Sequence, residues 1–155
     1  INSVLGECVS LLENQALFHN IQITEYYEKD LPMLVCDPSQ IERVFLNLII
    51  NAAEAMDDYG HLKLATRFIE IDEMIEIEIS DTGHGIHPED MEKIFDPFFT
   101  TKDVGHGTGL GLAISYGIVK AHQGNIFVSS ELEKGTSFFI RLPLKTKLNG
   151  LEIGR

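Results

Sequence analysis

The stretch DPSQIERVFLNLIINAAEAM, residues 37–56, decides the fold and carries half of the candidate chemistry. Asp37 supplies an N-cap and Pro38 a first-turn proline, so a helix is expected over about 38–57. At roughly 100° per residue, Ile41, Val44, Phe45, Leu48, Ala52, Ala55 and Met56 share one face. Asn47, Asn51 and Glu54 form a polar stripe on the flank of that face, bordering the core instead of pointing fully away from it. Two amides spaced i, i+4 beside an apolar face offer oxygen ligands to a cation. Solvated helix asparagines are the plain alternative.

Working outward, residues 3–18 place Val4, Leu5, Cys8, Leu11 and Leu12 at helical spacing, and 21–27 alternates in strand fashion. Leu34–Cys36 reads as a short strand. Two longer strands come next, 62–70 and 74–80, joined by a turn at Asp72-Glu73, and Pro88–Ile94 reads as a short helix. Residues 95–109 have no sustained period and form a long loop. Leu110, Ala113, Ile114, Ile118 and Val119 resume helical spacing from near Thr108 or Gly109 until Gly124, before final strands at 125–131 and 136–142. Ile75, Ile77 and Ile79 alternate with Glu76 and Glu78, which predicts a sheet with one buried and one wet face. The order gives an α+β fold, a two-layer sandwich. Its mixed, mostly antiparallel sheet of about five strands is covered on one face by three main helices. A single domain is expected over 1–144, with 145–155 a frayed tail. No internal repeat or low-complexity segment is present.

Twelve basic against 24 acidic residues give a formal charge of −12, which argues against nucleic-acid or anionic-membrane binding. Phosphate binding then needs a cation, backbone N–H groups and a lysine or two. No apolar run is long enough to span a membrane and no signal segment opens the chain, so the domain is expected to be soluble and cytoplasmic. Cys8 and Cys36 lack CxxC spacing and read as buried thiols of a reducing compartment.

Three further stretches carry chemistry: DTGHGI at 81–86, FDPFFTTK at 95–102 and GHGTGLGL at 105–112. A carboxylate such as Asp81 accepts a hydrogen bond from an exocyclic amino group and repels a ring carbonyl, which favours adenine over guanine. Gly83 and Gly85 allow a sharp turn against a base, although a strand-to-helix turn would look the same. Gly105, Gly107, Gly109 and Gly111 open a helix whose unpaired N–H groups can face phosphates; a flexible loop is the alternative. Lys102 and His106 are placed to neutralise phosphate charge. Phe95, Phe98 and Phe99 read as anchors of a mobile lid or as a docking face.

Taken together, the Asn51 helix, the Asp81 turn, the Phe95 loop, the glycine segment and the late Gly135-Thr136 pair resemble the N box, glycine boxes and F box of the catalytic ATP-binding domain of sensor histidine kinases. FDPFFTTK followed by GTGLGL resembles most the nitrogen-regulation type. The resemblance covers roughly 1–144. It implies the Bergerat fold of the GHKL group, with a flexible ATP lid, and ATP and magnesium as cofactors. It gives Asn51 the metal, Asn47 a phosphate, directly or through metal-bound water, and Asp81 the adenine amino group; Thr136 would order adenine-bound water. Asn47 and Asn51 are the catalytic pair it implies. Glu54, Ile86, Phe95, Thr101, Lys102, His106, Thr108, Leu110 and the glycines at 83, 85, 105, 107, 109 and 111 complete the nucleotide site. Where hydrolysing relatives carry a water-activating glutamate one turn before the metal-binding asparagine, this chain has Asn47.

That resemblance further implies transfer of the γ-phosphoryl group to a histidine on separate dimerisation helices, in two-component signalling with a cognate response regulator. None of His19, His61, His84, His87, His106 or His122 matches the acceptor pattern. The expectation is therefore a kinase fragment without its phosphoacceptor segment, monomeric alone and homodimeric at full length, with membrane anchoring of the full protein left open. A nucleotide-dependent interaction module without chemistry (a pseudokinase) and a serine kinase of the anti-sigma type are the alternatives.

Overall fold

The computed structural model describes residues 1–57, 59–103, 107–144, 146–148 and 151–153, the last two segments by their backbone. Helix α1 (Asn2–Leu12) leads through a 3-10 turn at Ala16–Phe18 into β1 (Ile21–Tyr27). Helix α2 (Pro38–Ala55) connects it to the hairpin of β2 (Gly60–Ile69) and β3 (Met74–Asp81). Helix α3 (Gly111–Ala121) precedes the second hairpin, β4 (Asn125–Glu131) and β5 (Gly135–Pro143). The five strands form one sheet in the order β1-β2-β3-β5-β4, with β1 parallel to β2 and every other pairing antiparallel. Among the described residues no helix is long and apolar enough to cross a membrane.

Helix α2 starts where the sequence says it should. Asp37 Oδ1 accepts from Ser39 N (3.0 Å) and Gln40 N (3.2 Å), and Pro38 occupies the first turn. The Asp37 N–H donates to His122 Nε2 (3.0 Å), while His122 Nδ1 donates to the Ile118 carbonyl, so the start of α2 is tied to the end of α3. One face of α2, from Ile41 through Phe45 and Leu48 to Ala52, is almost wholly buried. It packs against β2, β3 and β5 and against both other helices. Its sheet partners include Leu62, Leu64, Ile77, Ile79 and Ile140, each at most 1% exposed. The three helices and the sheet therefore share one core.

Four local expectations change. Leu34–Cys36 forms no strand: Met33 and Val35 are exposed, and no described strand pairs with them. Residues 88–94 make successive turns with bonds to the third residue back, as in Asp90 N to His87 O and Lys93 N to Asp90 O, because only Ile94 there is buried. The wet face of the sheet is not uniformly wet. Glu76 is 4% exposed, covered by its cross-strand neighbours: Arg67 Nε donates to Oε1 (2.6 Å) and Arg141 Nε to Oε2 (2.7 Å). Within 145–155, read as a frayed tail, β6 (Thr146–Leu148) and β7 (Leu151–Ile153) pair antiparallel, apart from the main sheet.

Of the two thiols, Cys8 is buried, and burial together with the nearby Glu42 carboxylate pushes its pKa up to about 11; Cys36 is only half-buried. Leu48→Ala is expected to lower unfolding stability by about 2–5 kcal/mol, because the site lies between helix and sheet and collapses poorly. Urea denaturation of the two proteins, with unchanged m-value, checks it.

Candidate functional site

The polar flank of α2 gathers three of the segments that the sequence singled out. Between Asn47 and Ala55 it runs about 12 Å at the usual helical rise, and three separate segments attach along it. At one end Asn47 Nδ2 donates to the Gly111 carbonyl (3.2 Å) and to Ser115 Oγ (3.3 Å), holding the first turn of α3 against α2. Next comes Asn51, half-buried and with no side-chain hydrogen bond among the described residues. Glu54 Oε2 accepts from Lys102 Nζ, which pins the Thr100–Lys102 segment to the helix. At the far end the Ala55 carbonyl accepts from His84 N (3.0 Å), securing the turn after Asp81.

Asp81 ends β3 and is 8% exposed. Its Oδ1 accepts from the backbone N–H of Gly83 (2.8 Å) and of Thr136 (3.2 Å), whereas Oδ2 makes no hydrogen bond among the described residues. Burial raises the carboxyl above the ordinary carboxylate value, and the Gly83 and Thr136 N–H groups and the His84 ring oppose that rise. The result is a fixed acceptor with one oxygen to spare. Gly83 is required by close approach, since a Cβ there would lie 2.4 Å from the Ala55 carbonyl oxygen. Gly85 is required twice, by φ of +76° and by the Glu131 carbonyl 2.3 Å from any Cβ.

The opposite wall of this turn is the β4–β5 hairpin. Glu133 N donates to the His84 carbonyl (2.8 Å), and Ile86 N donates to Ser130 Oγ (2.8 Å). Ser130 Oγ also lies 2.8 Å from Thr136 Oγ1 and 3.1 Å from the Gly135 carbonyl. Ser130 and Ser115 were missed in the sequence. The signal for Ser115 was its i, i+4 spacing from Gly111 on a largely apolar helix; Ser130 gave none, because serine is unremarkable near a strand end.

Other residues fall in less expected places. Helix α3 begins at Gly111, with Leu110 its N-cap, two to three residues later than expected: Gly109 takes φ of +68°, which a helix cannot continue through. Thr108 Oγ1 accepts from Leu110 N (3.3 Å), and the first turn of α3 lies against Asn47 on the α2 stripe through the Gly111 carbonyl. Phe95 stacks in tilted contact with Tyr116 (5.4 Å) and edge-on to Phe138 (6.4 Å), and Phe99 packs on the core. Both are anchors. Phe98 is not: it is 74% exposed at φ of +67°, held by its N–H bond to the Gly109 carbonyl (2.9 Å). Thr101 is exposed; Gly105 and His106 lie outside the described residues.

Among the described residues no three His, Cys, Asp or Glu side chains are grouped to hold a metal. A cation here would rest on the Asn51 amide oxygen and on oxygens brought by the ligand, a donor set that suits a hard ion such as magnesium. A concavity of about 690 Å³ on the open sheet face, lined by Tyr26, Lys63, Arg67, Glu76 and Glu78, does not reach the α2 stripe. Its charged residues are already paired with one another or with Arg141. Ser130→Ala is expected to loosen the 82–86 turn, seen as faster hydrogen exchange at the Ile86 amide with little change in global stability. Unchanged exchange would show that the hydroxyl does not hold the turn.

Residues 36–146 match the family described as histidine kinase-, DNA gyrase B-, and HSP90-like ATPase. Sporulation kinase E of Bacillus subtilis (strain 168) is 37% identical over 145 residues, which are 94% of this chain and 19% of that protein. The catalytic domain of histidine kinase ThkA superposes with a TM-score of 0.82 at 30% identity, covering 93% of this chain and 92% of that one. Full-length ShkA in complex with AMPPNP superposes at 0.81 with 28% identity, covering 96% of this chain and 31% of that one. The chain thus spans about a fifth of the length of the kinase it matches in sequence and nearly all of a kinase catalytic domain. It belongs to the histidine kinase-, DNA gyrase B- and HSP90-like ATPase family and has the fold of histidine kinase catalytic domains.

Proposed function

We propose that this domain binds ATP with magnesium and donates the γ-phosphoryl group to a histidine on a separate dimerisation segment. The observation that carries this reading is the Asp81 carboxylate. One of its oxygens is fixed by two backbone N–H groups and the other is left to accept from an adenine amino group. A guanine would present a carbonyl oxygen to the same carboxylate and be repelled. AMPPNP in ShkA, a neighbour of the same fold, agrees with an adenine nucleotide.

From that base position the rest of the nucleotide would lie along the α2 stripe. Thr136, Ile86 and the Gly83–Gly85 turn would border the adenine. Asn51 would offer its side-chain oxygen to magnesium, which when bound supplies charge neutralisation to the phosphates. Lys102, the first turn of α3 and the 107–111 glycine segment would receive the phosphate oxygens. Gly105 and His106 would extend this segment. The acceptor imidazole attacks the γ-phosphorus, the bond to the β,γ-bridging oxygen breaks, and ADP leaves.

The amide nitrogen of Asn47 is committed to Gly111 and Ser115, and its Oδ1 would be the group left for a phosphate-bound or metal-bound water. An amide in that place cannot take a proton from water as a carboxylate can, so the site is poor at hydrolysis and suits an acceptor that is already a nucleophile. The dimerisation helices, homodimeric assembly of the full protein and a cognate response regulator complete the proposed pathway.

Mixing the chain with γ-labelled ATP, magnesium and a matched dimerisation segment is expected to give acid-labile, base-stable label on the segment. Asn51→Ala is expected to reduce the rate by about a hundredfold or more while leaving the fold intact, on the scale of losing one charge-stabilising group. Acid-stable phosphoserine, or nucleotide binding without transfer, would contradict the reading.

A further inference from the structure

We propose that Glu54 is a positioning residue that acts through Lys102, holding that lysine beside Asn51 before any nucleotide arrives; this rests on the proposed nucleotide site. Glu54 lies one turn beyond Asn51 on the same flank of α2, so its carboxylate borders the path assigned to the phosphates. A bare carboxylate there would repel them. Lys102 Nζ donates to Glu54 Oε2 and cancels that charge.

The lysine is steered into this position from its other side. Its backbone N–H bonds Thr100 Oγ1 (3.1 Å), and its alkyl stem runs against Gly107. A Cβ at 107 would sit 3.1 Å from Lys102 Cδ and 3.0 Å from Thr100 Oγ1. Lys102 is also the single lysine or arginine between Ile94 and Leu110, a stretch that carries Asp96 and Asp103. Without Glu54, the one permanent cation of this stretch has no fixed place among the stripe residues. With it, Lys102 waits within reach of the phosphates. The pair is more than a third exposed on both sides, so it is weak enough to be exchanged for phosphate oxygens when they arrive.

Two readouts on this chain test the inference. In the nucleotide-free protein, Glu54→Gln is expected to speed hydrogen exchange at amides 99–103 several-fold. It should also weaken ATP binding with magnesium, measured by displacement of a fluorescent ATP analogue, by about fivefold. In a Lys102→Gln background, Glu54→Gln should cause no further loss in either readout. Swapping the charges, Glu54→Lys with Lys102→Glu, should restore slow exchange but not nucleotide affinity. An equal loss of affinity in the Lys102→Gln background would overturn the proposal in favour of direct contact with the ligand. Tighter binding by Glu54→Gln, or unchanged exchange, would also overturn it. Failure of the unaltered chain to bind ATP would overturn the nucleotide reading instead, and the exchange comparison, made without nucleotide, stands apart from it.

Discussion

Helix α2 is held by one surface and used by another, and the site depends on both. Its apolar face is locked between the sheet and the other two helices, with Phe45, Leu48 and Ile49 nearly inaccessible to solvent. That burial costs the helix its freedom to rotate, and so fixes the direction in which Asn47, Asn51 and Glu54 point. A rotation of one residue, roughly 100°, would bury an asparagine and expose a leucine. Core packing is therefore what aims the polar stripe, and no loop could hold three such groups in line as firmly.

Each segment that meets the stripe is bonded to it by a different kind of contact. The α3 end relies on a side-chain amide, the Thr100–Lys102 segment on an exposed ion pair, and the Asp81 turn on a backbone carbonyl. These differ in strength and in tolerance to change. The carbonyl contact is protected by the close approach of Gly83 and by the hairpin behind Gly85, so the Asp81 end is rigid. The ion pair is partly solvated, so the Lys102 end is the place where motion costs least. Under the proposed function, a firm hold on the base and an easier release of the phosphate chain would call for that asymmetry.

The core and the order of elements were legible because they rest on periodicity: the α2 face, the alternating isoleucines of β3 and the two hairpins all appear in the pattern of apolar residues. The turn after Asp81 was legible from the glycines at 83 and 85, whereas its use against a base could not be told from a plain strand-to-helix turn. What escaped reading was set by contacts distant in sequence. Glu76 looks like any solvent-facing glutamate until Arg67 and Arg141 arrive across the sheet. Nothing near Asn47 in the sequence shows that its amide nitrogen meets Ser115, 68 residues away. Residues 88–94 carry a helix-like composition but bury only Ile94, too little to sustain a helix. Phe98 could not be separated from Phe95 and Phe99 by composition, since its exposure follows from a left-handed backbone held by Gly109.

Everything on the ligand side depends on Asp81 selecting an adenine nucleotide at the end of the α2 stripe. Amide chemical shifts of the isotopically labelled chain, followed through titrations with magnesium-ATP and magnesium-GTP, test it most directly. The expected result is that ATP shifts the amides of Gly83, Gly85 and Thr136 together with those of the first turn of α3, at concentrations where GTP leaves them in place. Equal shifts with both nucleotides, or shifts confined to the open sheet face around Lys63 and Arg67, would contradict it.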